Sequence, residues 1–395
     1  MERIADDFAF RPKTSCSEFH RGALLTPCAA WAQAITTPAE YAIIMDHGTG
    51  AVLYEKNADA PTAPASMSKL MTVAIVFEKL KSGELNLDDE FQVSEKAWRM
   101  AGSKMWVRVD TKIKLHDLLR GVIVQSGNDA CIVIAENIAG TEEAFADLMT
   151  RKAREWGMND STFANATGWP DPGQMMSMRD LALLSRKMIS QYPEYYKMFA
   201  EREFTWEKIR QPNRNPLFDT FDGSDGLKTG HTEESGYGLV GSAVQNGARR
   251  IVVVNGLGSE KERAQESARL MRIAFNDFID KTLYKPGDIV GDALVFKGSA
   301  PSAPLIVREP VTMILHRRAA DSVKATVVYE GPVPAPVSEN QQIGYLRIET
   351  DGDMREFPLF AGKAVKEVGF LGKIGLAAKT LLSVPSKEAP QPVAQ

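Results

Sequence analysis

The sequence predicts an α+β chain. Helices and an antiparallel sheet form a first, larger domain, and a small all-β domain and a C-terminal amphipathic tail follow it. Three observations carry this. Apolar runs at helical spacing dominate residues 66–190. Strand-like segments with turn residues between them gather on either side, at residues 41–55 and 228–254. From Asp288 the pattern changes to short alternating segments separated by proline-rich turns. The 395 residues allow two domains, and the net charge of −4 gives no footprint for nucleic acid. No run of about 20 apolar residues predicts a membrane-spanning helix. Cys16, Cys28 and Cys131 supply neither a disulfide framework nor zinc spacing, and the five histidines are scattered. Neither a metal nor a cofactor is expected.

Taken in order, residues 1–37 form an N-terminal segment. Arg21–Ala34 is basic, then apolar, and closes on Ala32-Gln33-Ala34, the pattern of a secretory signal cleaved after Ala34. Residues 1–20 are more polar and acidic than such a signal, so a plain polar tail is the competing reading. A first domain is expected over 38–285. Tyr41–Asp46 and Ala51–Glu55 flank His47-Gly48-Thr49-Gly50 and read as a hairpin. A buried helix runs from Ser66 to about Lys81, where Gly83 stops it. Phe91–Ser94 and Val107–Val109 are short strand candidates. Leu115–Val124 is helical, Ser126-Gly127-Asn128 interrupts, and Asp129–Ile138 resumes. Glu142–Trp156 is an amphipathic helix with Phe145, Leu148 and Met149 inward. Asn165–Gly173 is a loop, Met178–Ser190 a helix, and Phe204–Arg214 ends in turn-prone residues. Lys228–Thr232 begins an edge strand, and Asn246-Gly247 joins Gly238–Val244 to Arg250–Val254. Lys261–Lys281 reads as one long amphipathic helix. Pro286-Gly287 marks a boundary, with an all-β domain over 286–360. Residues 361–395 mix Lys363, Lys366, Lys373 and Lys379 with apolar residues, a composition that fits a membrane-surface anchor.

The chemistry gathers on three stretches. Ser66 and Lys69 are three apart, so they share one helical face and the amine reaches the hydroxyl. A serine hydroxyl needs such a base, and a lysine serves only when burial or nearby positive charge lowers its pKa. Leu70–Phe77 supplies the burial. Ser126-Gly127-Asn128 sits between two helical runs, where a loop can aim both polar side chains into a cleft. Lys228-Thr229-Gly230 opens the edge strand. Each has an ordinary structural role taken alone: Ser126 as a helix cap, Asn128 as a turn residue, Lys228 as a solvated edge lysine. In this order and at spacings of roughly 60 and 100 residues they form the motif set of serine β-lactamases and penicillin-binding proteins. The reaction they predict is acyl transfer through a serine ester. Ser66 attacks, Lys69 takes its proton, Ser126 relays a proton to the leaving amine, and Asn128 bonds the substrate backbone. Lys228 keeps Lys69 partly neutral and attracts a carboxylate. The Ser66 N–H and an N–H near His231 or Thr232 would receive the oxyanion.

With Ser66-Met67-Ser68-Lys69, Ser126-Gly127-Asn128 and Lys228-Thr229-Gly230-His231-Thr232 in place, the chain resembles the serine-type D-Ala-D-Ala carboxypeptidases, the low-molecular-mass penicillin-binding proteins. The resemblance extends over residues 38–375 and takes in Tyr41–Asp46, Asn165-Ala166-Thr167-Gly168 and Asp225-Gly226-Leu227. It implies a β-lactamase/transpeptidase-like first domain. It implies removal of the terminal D-alanine from peptidoglycan pentapeptide and acylation by β-lactams. It also implies export, with the protein held on the periplasmic face of the cytoplasmic membrane by its tail. Ser66, Lys69 and Ser126 would be catalytic; Asn128, Lys228, Thr229, Gly230 and His231 would meet the substrate. Arg263 matches an arginine that binds the terminal carboxylate. The rivals are a D,D-endopeptidase, a β-lactamase and a non-catalytic peptidoglycan binder. A β-lactamase needs a glutamate in the loop after Ser-x-Asn, and Asn159–Pro172 has none.

Overall fold

The computed structural model describes residues 35–317, 323–350 and 353–369. The export-signal segment Arg21–Ala34, Cys16, Cys28 and the tail from residue 370 lie outside the described residues.

The first domain is built on a five-stranded antiparallel sheet. Its strands run in the spatial order Val52–Lys56, Tyr41–Asp46, Ala248–Leu257, Gly236–Gln245, Ser224–Thr232. Alternation of side chains along a strand gives the sheet two apolar faces. Ile43, Met45, Val240, Ile251 and Val253 join the core shared with the helix Lys69–Ser82. On the opposite face the helix Glu260–Asn276 packs, with Met271 and Leu217 close against Gly241. The helices Leu115–Ile123, Asn128–Ala139, Glu142–Glu155 and Met178–Gln191 complete the helical layer. Thr141, Ser177 and Ser259 cap their helices by accepting from Ala144, Asp180 and Glu262 N–H groups, and Gly83 ends the Lys69–Ser82 helix at φ 78°.

Three expected elements differ. Val107–Val109 is not a strand; Phe91 instead pairs with Ile113 in the short ladder Glu90–Gln92 with Lys112–Lys114. The Val107 N–H is taken by the Asp129 carboxylate at 3.2 Å, so it is withdrawn from any ladder. Phe204–Arg214 contains a hairpin, Glu203–Trp206 with Ile209–Pro212. Its turn residues Glu207 and Lys208 both have positive φ (47° and 67°), a primed turn made without the expected Asn or Gly. The long helix stops at Asn276, and Phe278–Tyr284 is a strand paired antiparallel with Val311–His316.

The C-terminal part is all-β. A six-stranded sheet runs in the order Lys324–Tyr329, Gln342–Thr350, Asp353–Ala361, Ser302–Ile306, Ile289–Phe296, Val333–Pro334. Its core holds Ala293, Leu305, Met313, Leu346, Ile348 and Leu359. Ser302–Ile306, which carries Pro304, and Asp353–Ala361 were not among the expected strands.

Candidate active site

The motif stretch begins as a tight 3-10 turn, Ala65–Ser68, and becomes α-helical only at Lys69. This corrects the expectation of one helix from Ser66. The turn leaves Ser66 half-buried and still places Lys69 beneath it. Lys69 is 0 % exposed, with Nζ 2.7 Å from Ser66 Oγ and donating to the Thr167 carbonyl at 2.5 Å. Burial of the ammonium pulls its pKa down to about 8; Arg214 pushes the same way, against Cys131 and Asp129.

The Thr167 carbonyl is held by its own loop. Asn165 Oδ1 accepts from Thr167 N–H (3.1 Å), Thr167 Oγ1 (3.0 Å), Gly168 N–H (2.8 Å) and Trp169 N–H (3.0 Å). Gly168 has φ 78°, and a Cβ there would stand 1.9 Å from the Ala65 carbonyl oxygen. The loop therefore lies directly on the turn that carries Ser66, which only glycine permits.

Ser126 has φ 62° and is buried, yet its Oγ has no hydrogen-bond partner among the described residues. It does not cap the next helix: Gly127 is the N-cap, without a side-chain bond. Asn128 opens that helix and donates from Nδ2 to the Ala101 carbonyl at 2.9 Å. Asp129 follows, 1 % exposed. Its Oδ1 accepts from Met105 N–H (2.8 Å) and Ala130 N–H (2.9 Å), and its Oδ2 from Trp106 N–H (2.8 Å) and Val107 N–H (3.2 Å). One buried carboxylate thus fixes the segment beside the Ser126 loop.

The edge strand supplies the third side. Lys228 is buried and donates to the Thr229 carbonyl at 3.1 Å, with Thr229 buried next to it. A Cβ on Gly230 would stand 2.9 Å from the Pro64 carbonyl oxygen, so the strand runs close along the Ser66 turn. Burial drives the Lys228 pKa well below its usual value, and the charges of Lys69, Arg214 and Arg263 add to this. His231 is exposed, its ring stacked on Tyr237 at 3.9 Å. Arg263 is buried, pairs with Glu260 at 2.8 Å and lies over the same Tyr237 ring at 5.7 Å; its Nε has no partner among the described residues. Arg214 is a residue the motifs did not reveal. It donates to Ser103 Oγ at 2.8 Å, and its field acts on both buried amines. Nothing in Asn213-Arg214-Asn215 but its polarity marks it in sequence.

A hydroxyl on a tight 3-10 turn, a buried amine of lowered pKa against it, and further cations around a second amine define a serine acyl-transfer architecture. Two family models match the chain: D-alanyl-D-alanine carboxypeptidase over residues 29–258, and Penicillin-binding protein 5, C-terminal domain, over residues 278–367. The chain belongs to the D-alanyl-D-alanine carboxypeptidase family. It is 36% identical to D-alanyl-D-alanine carboxypeptidase DacC of Escherichia coli (strain K12) over 341 residues, 84% of this chain and 85% of the relative. The crystal structure of the carboxypeptidase DacD from Francisella tularensis superposes with a TM-score of 0.75 at 32% identity, covering 85% of this chain and 95% of that one. Penicillin-Binding Protein D2 from Listeria monocytogenes, solved in an ampicillin-bound form, gives a TM-score of 0.56 at 30% identity, covering 62% and 99%.

Proposed function

We propose that the protein is a serine D-alanyl-D-alanine carboxypeptidase that removes the terminal D-alanine from peptidoglycan pentapeptide. The observation that carries this is the Ser66–Lys69 pair: a fully buried amine of pKa about 8, with Nζ 2.7 Å from the hydroxyl oxygen. In its neutral form Lys69 takes the Ser66 proton as Oγ attacks the carbonyl of the D-Ala-D-Ala bond. Ser126 relays the proton now on Lys69 to the departing amine, which leaves Lys69 neutral again, and Asn128 bonds the peptide backbone. Free D-alanine leaves, and the remaining acyl group is esterified to Ser66. Water attacks that ester, Lys69 takes its proton and returns it to Ser66 Oγ as the acyl group leaves, and both groups are restored. Lys228, Arg214 and Arg263 surround the place where the substrate carboxylate is held. Thr229, Gly230 and His231 line the strand against which the peptide lies.

A β-lactam enters the same path. Ser66 opens the ring amide, and the amine stays tethered to the acyl group, so it does not leave. Rapid deacylation of that ester calls for a free carboxylate beside it. Glu142 reaches the Asn165 loop, but its Oε1 accepts the Ala166 N–H at 3.2 Å and its Oε2 pairs with Lys96 at 2.9 Å. This favours the carboxypeptidase over the β-lactamase.

The reading places the protein outside the cytoplasm, on the periplasmic face of the membrane, held there peripherally by residues 361–395. The first domain, over 38–285, does the chemistry, and residues 286–360 carry it. Release of D-alanine from a Lys-D-Ala-D-Ala peptide by the wild type, and its loss in Ser66→Ala, is the expected result. Equal release by both proteins would overturn the reading.

A further inference from the structure

Among the described residues, the three tryptophans that are exposed all lie on or against one segment, residues 98–107. Trp98 is 44 % exposed, Trp106 55 % and Trp169 43 %. A Cβ on Gly102 would stand 3.1 Å from Trp169 Cζ3 and 2.7 Å from Asn128 Nδ2, so the segment passes directly beside the Ser126 loop. A cleft of about 370 Å³ opens between Trp98, Arg99, Lys104, Trp106, Val107 and Arg108.

The cleft is built rather than loose. Trp106 has φ 72°, uncommon for a bulky side chain, and its N–H is locked at 2.8 Å onto the buried Asp129 carboxylate. Lys104 donates to the Trp98 carbonyl at 2.9 Å and lies 5.9 Å from the Trp106 ring centre. Arg99 is paired with Glu95 and Arg108 with Glu207. The framework leaves two large indoles part-exposed and rims them with two arginines already paired to carboxylates and one lysine engaged by a backbone carbonyl. Such a site suits a neutral, flat-faced, polar-edged ligand. A pyranose ring has one C–H face that stacks on an indole, and hydroxyl and acetamide edges that bond to the rim.

We propose that this cleft is a glycan subsite. It binds the β-1,4-linked N-acetylated amino sugars to which the stem peptide is attached while the peptide lies in the Ser66 site. The inference rests on the carboxypeptidase reading for its substrate. The Asp129 side chain links the two sites, since the residue follows Asn128 and its carboxylate holds Trp106.

The test compares D-alanine release from a disaccharide pentapeptide and from the free pentapeptide. The proteins are the wild type, Trp98→Ala, and Trp98→Ala combined with Trp106→Ala. In the double variant kcat/KM for the glycan-bearing substrate should fall about tenfold. The free peptide and the rate of penicillin acylation should stay within about twofold, which also reports intact folding. Both substitutions keep the backbone N–H that the Asp129 carboxylate holds, and Trp98→Ala alone should show part of the same selective loss. An equal loss on both substrates, or no loss on either, overturns the proposal. A second arm titrates tryptophan fluorescence with a peptide-free N-acetylglucosamine tetramer. Quenching in the wild type that disappears in the double variant supports the subsite; no difference between them overturns it. Should the wild type release no D-alanine from either peptide, the carboxypeptidase reading falls, and this titration still decides on the glycan subsite.

Discussion

Lys69 sets the pH dependence of the proposed reaction. As a base it must be neutral, and its pKa is about 8. Acylation should therefore rise as pH rises through about 8, with the protonated amine inactive on the acid side. Arg214 is among the charges that hold this pKa down. Arg214→Gln should move the acid limb of kcat/KM to higher pH, and an unmoved or lowered limb would refute its electrostatic role. Ser126 gives a sharper separation. Its hydroxyl is buried and makes no hydrogen bond among the described residues, so its removal costs no native hydrogen bond. Ser126→Ala should keep or slightly raise the Tm while lowering acylation by about 10² to 10⁴-fold. A variant that loses stability and keeps its rate would reverse the assignment. The motif residues were legible in the sequence because their spacing is local or their order is diagnostic. Arg214 was not, since it works only through the approach of its loop to two distant lysines.

At the scale of elements, the site depends on loops that backbone geometry fixes. The Asn165 side chain gathers the N–H groups of three successive residues and so aims the Thr167 carbonyl at Lys69. Asn165→Ala should lower kcat/KM about tenfold or more and displace the acid limb of the pH profile. A purely structural role would lower Tm and leave the profile in place. The sequence marked this stretch as a loop from its composition but could not say which carbonyl it presents. The same holds for Val107–Val109. Its alternation reads as a strand, and the Asp129 carboxylate, more than twenty residues away in sequence, claims the Val107 N–H together with those of Met105 and Trp106. The Glu203–Pro212 hairpin was missed for a related reason, because Glu207 and Lys208 accept a turn geometry that sequence assigns to asparagine and glycine.

For the whole molecule, the α+β class and the later all-β region were legible from the change of hydrophobic period. The end of the long helix was not. The strand Phe278–Tyr284 takes its form from Val311–His316, which it meets only in the folded chain. Arg250 ties this strand to the main sheet. It is 3 % exposed, pairs with the buried Asp46, donates to the Ala274 carbonyl at 3.2 Å and reaches Asp280 at 3.3 Å. Arg250→Ala leaves Asp46 without its charge partner and should cost about 3 kcal/mol in chemical denaturation. Acylation of the protein that remains folded should be unchanged. Among the described residues no helix is long and apolar enough to cross a membrane. The central claim is that Ser66 forms an ester, and the most direct measurement is intact-protein mass after incubation with penicillin. The account predicts an adduct of one ligand on the wild type and none on Ser66→Ala. A well-folded wild type that gains no mass, or a Ser66→Ala protein that gains it equally, would contradict it.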